Sequence, residues 1–162
     1  YGYAAANYAR WVEDFPEHSS ILTPGVFGEN LTIQGITEAD IFVGDIHAIG
    51  SVRLQVTQPR QPCYKFALRT GNARMPAAMV RSGRSGWYYR VLEEGLLTAG
   101  DEVRVVERPN PDLLFTRLIE IVYHSQSSET ELARLTHAVG LADWLREAAQ
   151  RSLSDGDERL RS

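Results

Sequence analysis

Apolar residues recur at two different spacings along the chain. Near the start, Tyr8, Trp11, Val12 and Phe15 fall at helical spacing, which predicts an amphipathic helix over Tyr3–Phe15, stopped by Pro16. After the Pro24-Gly25 turn the spacing becomes that of strands. The candidates are Val26–Ile33, a short Ile41–Val43 closed by Gly44-Asp45, and Ile46–Ile49 with Val52–Thr57 across a Gly50-Ser51 hairpin. In the last of these Val52, Leu54 and Val56 alternate with Arg53, Gln55 and Thr57, so one buried and one wet face are expected. Pro59 and Pro62 then exclude a regular central strand and stiffen Gln58–Cys63 as a loop. Asn72–Ser82 reads as a helix, and Gly86–Leu92 and Glu102–Glu107 read as strands. Short strands broken by turn signals predict a barrel rather than a parallel sheet.

The character of the chain switches at Pro109. Asn110 is a candidate cap with Pro111 at the first helical position, and Leu113, Leu114, Leu118, Ile121 and Val122 form an apolar stripe. Ser128 with Glu131 has the spacing of a capping box for a second helix, which carries Leu132, Leu135 and Val139 and ends before Gly140. Leu141, Trp144, Leu145 and Ala148 make a third. The expected organisation is therefore a barrel domain over 1–109, a three-helix unit over 110–153 and a polar tail over 154–162.

Composition narrows the function classes. The 162 residues are 43% hydrophobic and 23% charged, enough to bury a core. No apolar run approaches the ~18–20 residues of a membrane span, so no membrane partner is expected. The opening residues lack a leader pattern, and the abrupt start at Tyr1 is expected of a chain with an upstream segment. Net charge is −4, yet no Asp or Glu occurs from Ile46 through Leu92, where Arg53, Arg60, Lys65, Arg69, Arg74, Arg81, Arg84 and Arg90 stand. A basic middle in an acidic chain points to a local anion site. It lacks the aromatic spacing of a stacking platform, so nucleic acid is not an expected partner. The single cysteine, Cys63, excludes an intrachain disulfide and any four-cysteine cluster, and predicts a cytoplasmic protein.

Cys63 is the first candidate for chemistry. It ends a proline-stiffened loop, and Arg60 and Lys65, the only lysine, supply cations that complement a metal-binding or nucleophilic thiolate. A lone cysteine is more often a small buried hydrophobe, and the residues alone leave the two readings even. If residues 63–65 are extended, Cys63 and Lys65 face one side. Ser82-Gly83-Arg84-Ser85-Gly86-Trp87 is the second candidate: glycines on either side of Arg84 free backbone N–H groups for an anion nest, although a helix-to-strand turn needs the same glycines. Asn30, in Phe27-Gly28-Glu29-Asn30, offers a donor and an acceptor. His18, His47, His124 and His137 show no metal-ligand spacing and read as structural or surface residues.

These blocks together carry a resemblance. Phe27-Gly28-Glu29-Asn30-Leu31-Thr32, Val43-Gly44-Asp45, Val56-Thr57-Gln58-Pro59-Arg60-Gln61-Pro62-Cys63-Tyr64-Lys65 and Ser82–Leu92 stand in the order and spacing of the MOSC family, named for the C-terminal domain of molybdenum-cofactor sulfurase. The chain most resembles the YiiM-like branch, over about Tyr1 to Leu153. The resemblance implies a mixed β-barrel of the pyruvate-kinase type with short helices and a small α-helical C-terminal domain. It also implies a molybdenum cofactor (molybdopterin) with Cys63 as metal ligand, and Asn30, Arg60, Gln61, Lys65, Arg84 and Gly86 around it. Members of the branch reduce N-hydroxylated bases such as 6-hydroxylaminopurine with electrons from a separate flavoprotein reductase. A non-catalytic carrier of the cofactor, or of sulfur as a Cys63 persulfide, is the alternative. The appended helices suit a homodimer contact or a redox partner. Branch members also carry strands ahead of the position of Tyr1, ending in His-Gly-Gly and Asp-Lys-Ala-Val regions, so the barrel is expected to be N-terminally incomplete here.

Overall fold

The computed structural model describes the backbone of residues 1–161 and the side chains of residues 1–155. Six strands, β1 (Gly2–Ala4), β2 (Leu31–Ile33), β3 (Ile46–Ile49), β4 (Val52–Pro59), β5 (Trp87–Glu93) and β6 (Val103–Glu107), form one sheet in the order β2-β1-β5-β4-β3-β6. β1 and β2 run parallel and the other pairs antiparallel, giving a mixed half-barrel. Six helices surround it: α1 (Ala6–Asp14), α2 (Tyr64–Thr70), α3 (Met75–Ser82), α4 (Phe115–His124), α5 (Glu129–His137) and α6 (Asp143–Arg161), with a single 3₁₀ turn at Pro16–His18.

The Gly50-Ser51 hairpin and the strands at 87–93 and 103–107 form where the periodicity placed them. Other elements differ for identifiable reasons. Gly2–Ala4 is a strand rather than the start of the first helix. Its neighbours β2 and β5 supply ladder partners, and Tyr3 is wholly buried. Val26–Asn30 is a turn ahead of β2, with Gly28 at φ 76°, although Phe27 is buried. Ile41–Val43 contributes one isolated bridge, Phe42 to Leu114, while Ile41 and Val43 fill the core. Helix α2, which the periodicity missed, follows Cys63 at once, and α3 starts at Met75 rather than Asn72.

Strand β4 departs most from its pattern. Gln55 and Thr57, expected in water, are 6% exposed. The C-terminal helices cover that face: Ala142 N–H donates to the Thr57 carbonyl, and Gly140 lies so close that a Cβ there would stand 2.6 Å from Gln55 Cδ. The strand also runs to Pro59, as its last residue, opposite Trp87, with a register shift between Val56 and Gln58.

Asn110 caps no helix. Its amide donates to the carbonyls of Val43 and Val139 and accepts from Val139 N–H, so it ties the half-barrel to the helical layer, and α4 begins later at Phe115. The Ser128–Glu131 capping box forms as the spacing predicts. One apolar core runs through both layers, from Ala4, Val56 and Trp87 to Leu118, Leu141 and Leu145. A second, aromatic core holds Tyr3, Trp11, Phe27 and Phe66. Helix α6 continues through most of the expected tail to Arg161, and Ser162 lies outside the described residues.

Candidate functional site

Cys63 stands where the end of β4 gives way to α2. It is exposed, with extended backbone (φ −126°, ψ 174°), and Phe66 N–H closes the first turn of α2 on its carbonyl. Phe66 is 1% exposed and lies 5.4 Å, centroid to centroid, from the Phe27 ring, so the aromatic core anchors the base of the helix. The thiol is held on a fixed base but faces solvent, and is no buried hydrophobe. Lys65 is exposed as well, but α2 has already started at Tyr64, so the alternation that would set Lys65 beside Cys63 is lost.

Arg60 is the cation built into this end of the barrel. Its guanidinium donates to the Phe27 carbonyl and lies 5.2 Å from the Tyr1 ring and 5.5 Å from the Phe66 ring. Two tyrosines that the sequence reading did not select complete the surroundings. Tyr123, on α4, donates its hydroxyl to the Arg60 carbonyl. Tyr1 donates to the Ser85 carbonyl at 2.6 Å and packs 5.0 Å from Tyr88. Burial raises the pKa of both Tyr1 and Tyr123, so both phenols stay protonated donors at neutral pH. Neither residue carried a signal in the sequence: Tyr1 opens the chain, and Tyr123 sits in a helical stripe that reads as packing.

Asn30 joins this surface from the side, its Oδ1 accepting from the backbone nitrogen of Tyr1 at 2.9 Å. Asn30 and Tyr1 also line a bowl of about 480 Å³ on the inner sheet face, with Leu31, Leu54, Tyr89 and Leu97. Gln61 points elsewhere, onto a groove of about 230 Å³ between the C-terminal helices with Ile121, Leu132 and Trp144. The loop is gripped from that side too, because Trp144 Nε1 donates to Gln58 Oε1 at 2.6 Å.

Arg84 and Gly86 belong to a different place. Arg84 is buried, stacks 4.0 Å over Trp11 and pairs with Asp14 across the far side of the aromatic core. Gly86 N–H donates to Glu38 Oε1 at 2.8 Å, and the Asn7 amide holds the same carboxylate. The glycine loop is thus the helix-to-strand turn that its sequence also allows, and its one N–H on a carboxylate, that of Gly86, goes to the protein's own Glu38. Burial raises the Glu38 pKa, opposed by the donors from Gly86 and Asn7. At Gly86, φ is 64° and a Cβ would stand 2.5 Å from the Gly2 carbonyl, so this glycine serves the close packing of β1.

His47 is fully buried in the inner sheet face, 2.6 Å from the Tyr89 hydroxyl, with its pKa pushed down to about 4 by burial. Among the described residues no group of three His, Cys, Asp or Glu side chains could hold a metal ion, and no helix is long and apolar enough to cross a membrane.

Fold and site together define a half-barrel protein of MOSC type, with one cysteine presented at the end of a central strand and helices packed against the sheet. The MOSC domain model matches residues 1–104. The chain belongs to the MOSC domain family. Protein YiiM of Escherichia coli (strain K12) is 33% identical over 153 residues, covering 94% of this chain and 68% of YiiM. The crystal structure of that protein superposes with a TM-score of 0.88 at 30% identity, over 96% of this chain and 77% of the other. YiiM from Geobacillus stearothermophilus gives 0.87 at 34% identity, over 94% and 76%. A Gibberella moniliformis protein named "Reductase" is 34% identical over 110 residues, 67% of this chain and 20% of that much longer protein.

Proposed function

We propose that the chain is the catalytic core of a molybdenum-dependent reductase of N-hydroxylated small molecules, with Cys63 as the protein's ligand to the metal. The observation that carries the reading is the exposed thiol of the only cysteine, at the start of a helix whose base, Phe66, packs against the Arg60 guanidinium. A pterin-borne molybdenum brings sulfur ligands of its own, so one accessible thiolate is the donor set it requires of the protein, and soft sulfur suits it. Membership of the MOSC family and the reductase name of one relative support the same assignment.

Arg60 would offset the negative charge of the bound group. Asn30 would supply a further donor at this end of the barrel, whereas Gln61 faces the groove between the C-terminal helices, Lys65 lies on α2 out of register with Cys63, and Arg84 and Gly86 are committed to Asp14 and Glu38. Such a group, when bound, supplies two-electron and oxygen-atom chemistry. The net conversion is R–NHOH + 2 e⁻ + 2 H⁺ → R–NH2 + H2O, with the electrons from a reduced flavoprotein. Tyr1 and Tyr123 fix the shape of this end of the barrel through the carbonyls of Ser85 and Arg60.

The test is elemental analysis of protein from a host that makes the cofactor, beside reduction of a hydroxylaminopurine driven by a chemically reduced viologen dye. Stoichiometric molybdenum and turnover in the wild type, both lost in Cys63→Ala, are expected. A Cys63 persulfide carrier would contain no stoichiometric metal, and that result would overturn the assignment.

A further inference from the structure

Among the described residues the outer face of α2 is left uncovered at Tyr64 and Leu68, and Arg69 reaches from it to the Gly25 carbonyl. Phe66 and Thr70 point inward and are buried, while Tyr64 and Leu68, one helical turn apart, are 71% and 74% exposed. Among the described residues these two are the only pair of large apolar side chains exposed at i, i+4 on one helix. Lys65 and Arg69 lie beside them at the same spacing and are exposed too. Two cations thus border two apolar side chains on the helix that starts at Cys63, inside a stretch of sequence without a single acid.

We infer that this face docks an acidic electron-carrier protein that delivers reducing equivalents at Cys63. The inference rests on the proposed reductase function and supplies the place where its electrons enter. Leu68 lies five residues from Cys63, roughly 7.5 Å along a helix axis, so a protein seated on Tyr64 and Leu68 abuts the cysteine. A small apolar centre ringed by one sign of charge suits a transient redox encounter, in which charge steers approach and the apolar contact orients it. The same charges argue against a second copy of this chain. A two-fold contact would bring each Lys65 and Arg69 against the partner copy's cations.

The probe is an acidic FMN-carrying flavodoxin, titrated at low salt onto the wild-type chain and onto Leu68→Ser and Arg69→Glu, neither of which is in the proposed cofactor set. Wild type should bind with micromolar affinity, each variant about tenfold more weakly, and binding should fade as salt rises to about 0.5 M. Equal binding by all three proteins, or no binding by the wild type, overturns the proposal. So does a wild-type dimer that Leu68→Ser dissociates, which would assign the face to a second copy. In parallel, viologen-driven reduction should be the same in wild type and Leu68→Ser, while flavodoxin-driven reduction falls about tenfold in the variant. Absence of viologen-driven turnover would remove the reductase reading itself and leave the binding titration to decide the docking face.

Discussion

The Tyr123 hydroxyl, on a C-terminal helix, donates to the Arg60 carbonyl, three residues before Cys63 in the loop that presents the thiol. With Trp144 on Gln58, this makes the helical layer the outer wall of the cysteine loop rather than a separate appendage. Tyr123→Phe leaves that carbonyl unpaired in a partly buried position, and a cost of about 1 kcal/mol follows. Urea denaturation should show the loss, and the reaction of Cys63 with a disulfide reagent should quicken as its loop loosens. An unchanged thiol rate with the same loss of stability would limit Tyr123 to packing.

Cys63→Ala and Cys63→Ser should separate metal binding from folding. The side chain is exposed and carries no packing, so both variants should unfold within about 0.5 kcal/mol of the wild type. Molybdenum content should nevertheless drop to background in both, since alanine offers no ligand and a serine hydroxyl is a poor soft donor. Metal retained by either variant would place the ligand elsewhere.

Residues whose local signal and tertiary setting agree were legible in the sequence, and the rest were not. The Ser128–Glu131 capping box is a four-residue device, and it forms as its spacing says. Cys63 is even between core and surface in the sequence, and the structure leaves it exposed in the loop between β4 and α2. Gln55 and Thr57 misled, because alternation marks a half-covered sheet and cannot show that distant helices will cover the second face. The glycine loop at 82–86 is a helix-to-strand turn in which Gly86 N–H meets Glu38, more than forty residues away in the sequence, and no spacing reveals that partner.

His47 should make stability depend on pH in a defined window. Burial holds its folded-state pKa at about 4, below the ordinary 6.5. Above pH 6.5 neither state carries the proton. As pH falls through that value the unfolded chain takes it up and the folded chain does not, so stability falls until about pH 4. The shift corresponds to about 3 kcal/mol between those limits. Glu38, whose pKa is raised by burial, acts with the opposite sign and gains stability as pH falls, so the total slope mixes the two. Subtracting the profile of His47→Gln from that of the wild type isolates the histidine. A difference that stays flat from pH 7 to 4 would show that His47 is not buried as a neutral ring.

Gly86→Ala links the packing of β1 to the site through one methyl group. The added Cβ would meet the Gly2 carbonyl at 2.5 Å and the Tyr3 and Tyr1 rings at 2.7 and 2.8 Å, on a backbone whose φ of 64° already disfavours alanine. Backbone cannot yield as a side-chain tip can, so β1 must move, at a cost of about 2–4 kcal/mol. Tyr1 moves with it, and Tyr1 packs under Arg60 and bonds to Ser85. Both thermal stability and molybdenum content should therefore fall, although Gly86 has no contact with Cys63. The packing alternative is separated by Leu135→Ala, which empties a buried position on α5 in the C-terminal helical layer at a comparable cost of about 2–5 kcal/mol. That variant should keep its metal, and loss of metal in it as well would mean that cofactor content merely tracks stability.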